Sequence, residues 1–364
     1  MQNKFLLNKA MFTEKENLIL ESSSMRAYAF RYSTGVEAVR VENEKGYFII
    51  LPYQGQQIWR ANFLGQELTM QTTFDEPVAT DNFLASYGCF LMHCGVTAMG
   101  CPSDKDNHAQ HGELPVAIYK DAYLISGVDE KGEYIAVSGS IEGKVSFTRN
   151  YLFTPQCRLY SDSTLLDVTV NLKNLRSKPF TYMYLCHINF RPVDGAELIY
   201  SAKYDKEHFK VHKIVPASMA PDKAKELKAY MDALQKDPTI HHKVGAPGQV
   251  YDPEICSTVI YTPDENNRAH TMQLLPDGTA FYVNHPADTL PIGIRWISRT
   301  GDENSMGMVL PATAEHLGYT HAEKNGQLKE LAPHSEITFN MYAGLLEKDN
   351  AKKTAEHINS VSGN

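Results

Sequence analysis

Apolar and polar positions alternate with a period of two along much of the chain. Leu166, Val168, Val170 and Leu172 alternate with Asp167, Thr169 and Asn171, the pattern of a strand with one face buried and the other in water. Val145, Phe147, Tyr151 and Phe153 read as a second strand of the same period. Residues 46–51 read as a strand stopped by Pro52, residues 257–261 and 279–283 as further strands, and residues 336–345 alternate through Ile337, Phe339 and Met341. Turn chemistry punctuates them at 129–132, at Pro276-Asp277-Gly278 and at Asn325-Gly326. Strands at this spacing predict a mainly-β antiparallel sandwich or barrel. One segment has a different period. Ala224, Leu227, Tyr230, Met231 and Leu234 recur every 3.6 residues between Pro221 and Lys236, which predicts one amphipathic helix inserted between strands. Pro221 suits its first turn and Asp237-Pro238 ends it.

With no internal repeat and no low-complexity linker, residues 1–364 are expected to form a single domain. The core sandwich runs over about 20–346, the helical insertion over about 219–238, a short arm over 1–20 and a polar tail over about 349–364. Hydrophobic residues make up 43% of the 364 residues and charged residues 21%, the balance of a globular chain. The net charge of −8, without a Lys/Arg stripe, speaks against a nucleic-acid partner. Asn8, Lys9, Glu14 and Lys15 interrupt the apolar pieces of the N-terminus, so neither a signal peptide nor a membrane span is expected. The expected location is the cytoplasm, where the six cysteines, none in a CxxC pair, are read as reduced. An exposed sheet edge leaves homo-oligomerisation open.

Four segments hold residue types able to do chemistry. Residues 46–68 pass from a strand through a Gly turn to Trp59 and Arg60. Residues 87–115 gather Cys89, His93, Cys94, Cys101, His108 and His111. These are zinc-ligand types, but their spacing fits no standard finger or ribbon, and no metal is assigned. In His111-Gly112-Glu113-Leu114-Pro115 the glycine permits a tight turn that can project the imidazole into a cleft. In residues 181–198 an extended strand places His187 and Asn189 on one face and Tyr182, Tyr184, Cys186, Ile188 and Phe190 on the other. Imidazole can exchange a proton near neutral pH, and an amide both donates and accepts. Arg191 follows in a loop. In residues 290–319, Arg295 and Trp296 adjoin on a strand, and Glu315 and His316 sit in a loop after Pro311. Each of these side chains has an ordinary structural alternative.

In this order, over roughly residues 45–345, the segments resemble the aldose 1-epimerase family, in particular its bacterial branch. The resemblance rests on the strand–Gly–strand near residue 46, the HGELP run at His111, the CHINF run at His187, the Pro311-Ala312-Thr313 loop and the Leu331-Ala332-Pro333 turn. It implies a galactose mutarotase-like supersandwich that holds a small-molecule sugar on a concave sheet face. The implied reaction interconverts the α and β anomers by acid–base ring opening, without a cofactor. His111 matches the family histidine that steadies the ring oxygen, and His187 matches the general acid. Asn189, Arg191, Glu113, Arg295, Trp296 and His93 are the expected substrate-binding residues. The family's general base is a Glu in a Glu-Pro step, where this chain has Leu310-Pro311. Glu315 is the nearest carboxylate and is taken as the base, with Glu113 and Glu254 as alternatives. A non-catalytic sugar-binding protein, or a lyase or glycosidase on the same fold, are the competing readings.

Overall fold

The alternating segments fold into two antiparallel sheets packed face to face. The structure, a computed structural model, describes residues 2–363. Met1, at the start of the expected arm, and Asn364, at the end of the expected tail, lie outside them. Among the described residues one sheet has ten strands and the other thirteen. Strands Arg149–Tyr160, Leu165–Asn174 and Glu336–Leu346 lie side by side in the middle of the first. In the second, Phe180–Ile188 lies between Leu91–Val96 and Asn304–Ala312, with Ile292–Arg299 and Ile255–Ile260 beyond.

The period-two pattern decides which side chains meet between the sheets. Leu166, Val168, Val170 and Leu172 face inward with Phe339 and Met341, and meet Phe48, Tyr184 and Ile188 in one buried cluster. The Tyr184 and Phe339 rings stack with centroids 5.0 Å apart and planes 4° from parallel. The outer face of the thirteen-stranded sheet is apolar too, with Trp59, Met92, Cys94, Leu185, Ile294 and Leu310 buried there. A sheet covered on both faces needs loops above it. Those loops roof the cleft described below.

The helix Pro221–Lys236 forms over the expected residues, with Pro221 in its first turn and Leu227, Tyr230, Met231 and Leu234 buried. The tail is helical over Lys348–Ser362 and packs Ala351 and Ile358 beside Met272 and Tyr282 of the ten-stranded sheet. Two expectations change. The expected N-terminal arm is tied into both sheets, Gln2–Leu6 pairing with Ala122–Asp129 and Asn17–Glu21 with Arg26–Arg31. The expected strand through Val145 and Phe153 is a hairpin of Ile141–Val145 and Arg149–Tyr160. Phe147 sits in its turn with φ 67° and a fully exposed side chain, and alternation resumes beyond it because Val145 pairs with Arg149. Among the described residues no helix is long and apolar enough to cross a membrane.

Phe339 and Phe147 therefore make a matched test of the core. Phe339→Ala is expected to lower unfolding free energy by about 3–5 kcal/mol, and Phe147→Ser to change it by no more than about 0.5 kcal/mol, both read from urea unfolding curves.

Candidate functional site

Alternation along Phe180–Ile188 sends Tyr184 and Cys186 between the sheets and turns Leu185 and His187 to the outer face. There they line a cleft of about 110 Å³ with Phe83, Tyr87, His111, Glu254, Trp296, Leu310 and His316. Leu310 and Trp296 arrive on the adjacent strands Asn304–Ala312 and Ile292–Arg299. Glu254 immediately precedes the strand Ile255–Ile260. His111 arrives on a loop in left-handed backbone at φ 62°, followed by Gly112 at φ 80°. A Cβ on Gly112 would lie 2.2 Å from the Ala98 carbonyl oxygen, so the turn that presents His111 requires glycine.

The aromatic rings meet edge to face. His187 lies 5.3 Å from His111, 5.4 Å from Trp296 and 6.0 Å from Tyr87, centroid to centroid, with planes 71–86° apart. Phe83 closes the group at 5.4 Å from His111. Two hydrogen-bond chains fix the polar groups between these walls. In the first, the Asn189 side-chain amide donates Nδ2–H to the Cys89 carbonyl at 3.0 Å, which turns Oδ1 toward His187 Nδ1 at 2.8 Å. Oδ1 also accepts from the Tyr87 hydroxyl at 3.2 Å. Since Oδ1 can only accept, Nδ1 of His187 carries the proton and Nε2 is the atom free to exchange one. In the second, the Trp296 indole N–H donates to Glu254 Oε2 at 2.5 Å. Trp296 thus contacts both His187 and Glu254.

Burial controls the charge of the histidines. It lowers the His187 pKa to about 4, against a smaller upward pull from the Asn189 hydrogen bond, and lowers that of His316 to about 3. His111 is held well below its ordinary value by burial and by the neighbouring His187 and His316. Nδ1 of His111 and Nδ1 of His316 are buried without a protein hydrogen-bond partner. The walls therefore combine neutral imidazoles with apolar surface, and Glu254 is the one carboxylate among the lining residues.

His111, His187 and Trp296 are brought together, and Asn189 stands behind His187. The other expected site residues lie elsewhere. Glu315 does not line the cleft. Its carboxylate accepts from His321 at 2.6 Å, Lys210 at 2.9 Å and Thr258 at 3.1 Å. Burial works to raise its pKa, but the His321 and Lys210 hydrogen bonds prevail and bring it to about 2. Arg295 shares a strand with Trp296, but alternation turns it the other way. It is buried, donates to the Met308 carbonyl at 2.9 Å, contacts His241 Nε2 at 2.7 Å and lies 4.0 Å over the Tyr200 ring. His93 likewise faces inward, against the Tyr184 hydroxyl at 2.8 Å. Glu113 accepts from the Tyr151 and Thr97 hydroxyls, and Arg191 donates to the Thr69 carbonyl at 3.1 Å. The His and Cys content of residues 87–115 masks Tyr87 in the sequence, and only the fold sets Glu254 against Trp296. A larger open groove of about 560 Å³ is lined by Asp194, Lys223, Glu226, Asp252 and Arg299. It holds no imidazole, so the smaller cleft is the candidate site.

A family model described as "Domain of unknown function (DUF4432)" matches residues 33–345. No curated protein matches the chain. Among solved structures, a candidate aldose 1-epimerase of Klebsiella pneumoniae is similar over the whole chain and 97% of its own length, with TM-score 0.82 and 14% identity. A galactose mutarotase-like protein of Clostridium acetobutylicum matches over 89% of this chain and 99% of its own, with TM-score 0.59 and 12% identity. One of Lactobacillus casei matches over 85% and 99%, with TM-score 0.53 and 14% identity. The fold is thus the galactose mutarotase-like β-sandwich.

The buried histidines make stability depend on acid. A histidine whose folded pKa lies below its unfolded value near 6.5 binds more protons unfolded than folded, so stability rises with pH between the two values. For His187 and His316 that window runs from about 3–4 to 6.5. The unfolding temperature is expected to hold steady above pH 6.5 and to fall as pH drops from 6.5 to 4, measured by scanning calorimetry. A midpoint constant from pH 7 to 4 contradicts burial of neutral imidazoles.

Proposed function

We propose that this chain, which belongs to the family of the DUF4432 domain of unknown function, binds a neutral monosaccharide in the cleft and interconverts its α and β anomers. The observation that carries this reading is the meeting, in one cleft, of His187 and Glu254, each in contact with the Trp296 ring. An indole face stacks on the apolar side of a sugar ring. The cleft is smaller than a drug-sized pocket, which favours one sugar unit. No Arg or Lys is among its lining residues, which favours an uncharged sugar.

Ring opening needs a base at the C1 hydroxyl and an acid at the ring oxygen. The Glu254 carboxylate takes the hydroxyl proton while Nε2–H of a protonated His187 delivers one to the ring oxygen. The bond from C1 to the ring oxygen breaks and C1 becomes a carbonyl. After rotation about C1–C2, His187 recovers its proton from the C5 hydroxyl, Glu254 returns one to the carbonyl oxygen, and the ring closes as the other anomer. Asn189 can accept from Nδ1–H in both charge states of His187, so it positions the ring throughout. The His187–Glu254 pair must enter the cycle with one proton. Leu310 stands where the resemblance to aldose 1-epimerases expects a Glu and lines the cleft, while the Glu315 carboxylate is already engaged by Lys210 and His321. Both facts favour Glu254 as the base. A glycosidase needs two carboxyl groups across the bond it cleaves, and the cleft wall supplies one.

The test is anomer exchange followed by proton NMR saturation transfer, over a panel including glucose, galactose, fucose and rhamnose. His187→Ala and Glu254→Gln are each expected to lower kcat by about 10²–10⁴-fold, with Glu315→Gln leaving it within a few-fold. Because His187 loses its proton above about pH 4, kcat/KM is expected to fall as pH rises from 5 to 8; a flat profile moves the proton to another group. The apolar Leu310, where the resemblance expects an acid, also gives weight to sugar binding without turnover. Saturable binding in calorimetry with exchange at the buffer rate across the panel decides for that reading.

A further inference from the structure

A second cluster of chemically capable side chains lies away from the cleft, where the C-terminal helix meets the ten-stranded sheet. Asp264, His270 and His357 each offer a ligand atom, and these three atoms lie within 4.8 Å of one another. Among the described residues no other group of three or more His, Cys, Asp or Glu crowds its ligand atoms in this way. His270 belongs to the strand Arg268–Leu274, Asp264 to the turn before it, and His357 to the helix Lys348–Ser362.

The spacing is that of a coordination shell. Asp264 Oδ2 lies 3.1 Å from His270 Nε2 and 3.5 Å from His357 Nε2. A tetrahedral site with ligand bonds of about 2.0–2.1 Å sets neighbouring ligand atoms about 3.3 Å apart. The carboxylate is pre-aimed, because Oδ1 is taken by the backbone amides of Asn266 at 2.9 Å and Arg268 at 2.8 Å, which leaves Oδ2 for both imidazoles. His270 is supported from behind, with its Nδ1 2.6 Å from the Tyr282 hydroxyl and 3.1 Å from Asn284 Nδ2. Asn284 Nδ2 can only donate, so without a cation Nδ1 of His270 accepts and Nε2–H meets Asp264 Oδ2; a cation at Nε2 displaces that proton to Nδ1, where the Tyr282 hydroxyl can accept it and orient the ring. The His270 and His357 rings are perpendicular, 5.2 Å apart, so their nitrogens converge without stacking. Arg268, on the same strand as His270, is engaged by the Asn284 and Asn340 carbonyls.

We propose that Asp264, His270 and His357 bind one zinc-class divalent cation, whose fourth position is left to water, and that the ion fastens the C-terminal helix to the sheet. Two imidazoles and one carboxylate suit zinc better than calcium or magnesium, which prefer oxygen shells. The site is independent of the cleft chemistry.

The test uses the full chain, dialysed against a chelator and titrated with Zn²⁺ by calorimetry. One equivalent should bind per chain and, at about a hundredfold excess over Kd, raise the unfolding temperature by about 3–4 °C. Co²⁺ should give the visible absorption of a four-coordinate nitrogen and oxygen site without thiolate charge transfer. His357→Gln, on a half-exposed helix face, and Asp264→Asn should each abolish the stoichiometric binding and the temperature shift. Absence of saturable binding to the parent chain overturns the proposal. So does binding that is undiminished in both variants, or a cobalt spectrum dominated by thiolate bands.

Discussion

The strand Phe180–Ile188 is buried on both faces, and the organisation of the site follows from that constraint. One face must satisfy the core between the sheets, which Tyr182, Tyr184, Cys186 and Ile188 do. The other face is then obliged to carry Leu185 and His187 under a roof of loops. A histidine placed there cannot be solvated like one on the surface, so it needs a fixed partner. Asn189, just beyond the strand, supplies it, and the Cys89 carbonyl fixes Asn189 in turn. The cleft therefore depends on the neighbouring strand Leu91–Val96 and the segment leading into it as much as on the residues that line it.

The same desolvation separates the roles of the acidic and basic groups. Histidines buried without carboxylate partners stay neutral, as His187 does. Glu315, buried among donors, stays ionised and is occupied by Lys210 and His321. Glu254 stands apart from both. Its side chain is exposed at the cleft rim, and the Trp296 indole N–H holds it. A carboxylate that keeps one oxygen uncommitted can exchange a proton with a ligand; one saturated by cations cannot do so without breaking those bonds. Electrostatic saturation, more than proximity in sequence, separates the two glutamates. On the opposite sheet, Asp264 combines the two situations, with one oxygen committed to backbone amides and the other aimed at two imidazoles.

Much of the architecture was legible along the chain because burial writes itself into periodicity. Leu166 to Leu172 had to face one way, and the Pro221–Lys236 segment had to be a helix, since only those geometries gather their apolar side chains on one surface. The turn through Phe147 was hidden because its aromatic ring keeps the alternation in the string while sitting fully exposed in the hairpin. At the site, the sequence by itself determined the pairing of His187 with Asn189 and the glycine-dependent turn that presents His111. Each is a local property of strand period, backbone freedom or residue type. Only the tertiary structure decided that Arg295 points inward while its neighbour Trp296 points out, that Glu315 is spent on Lys210 and His321, and that Glu254, just before the neighbouring strand Ile255–Ile260, reaches Trp296. Those outcomes depend on which strands become neighbours and on which charges find partners. A contact between residues tens of positions apart leaves no period in the chain from which it could be read.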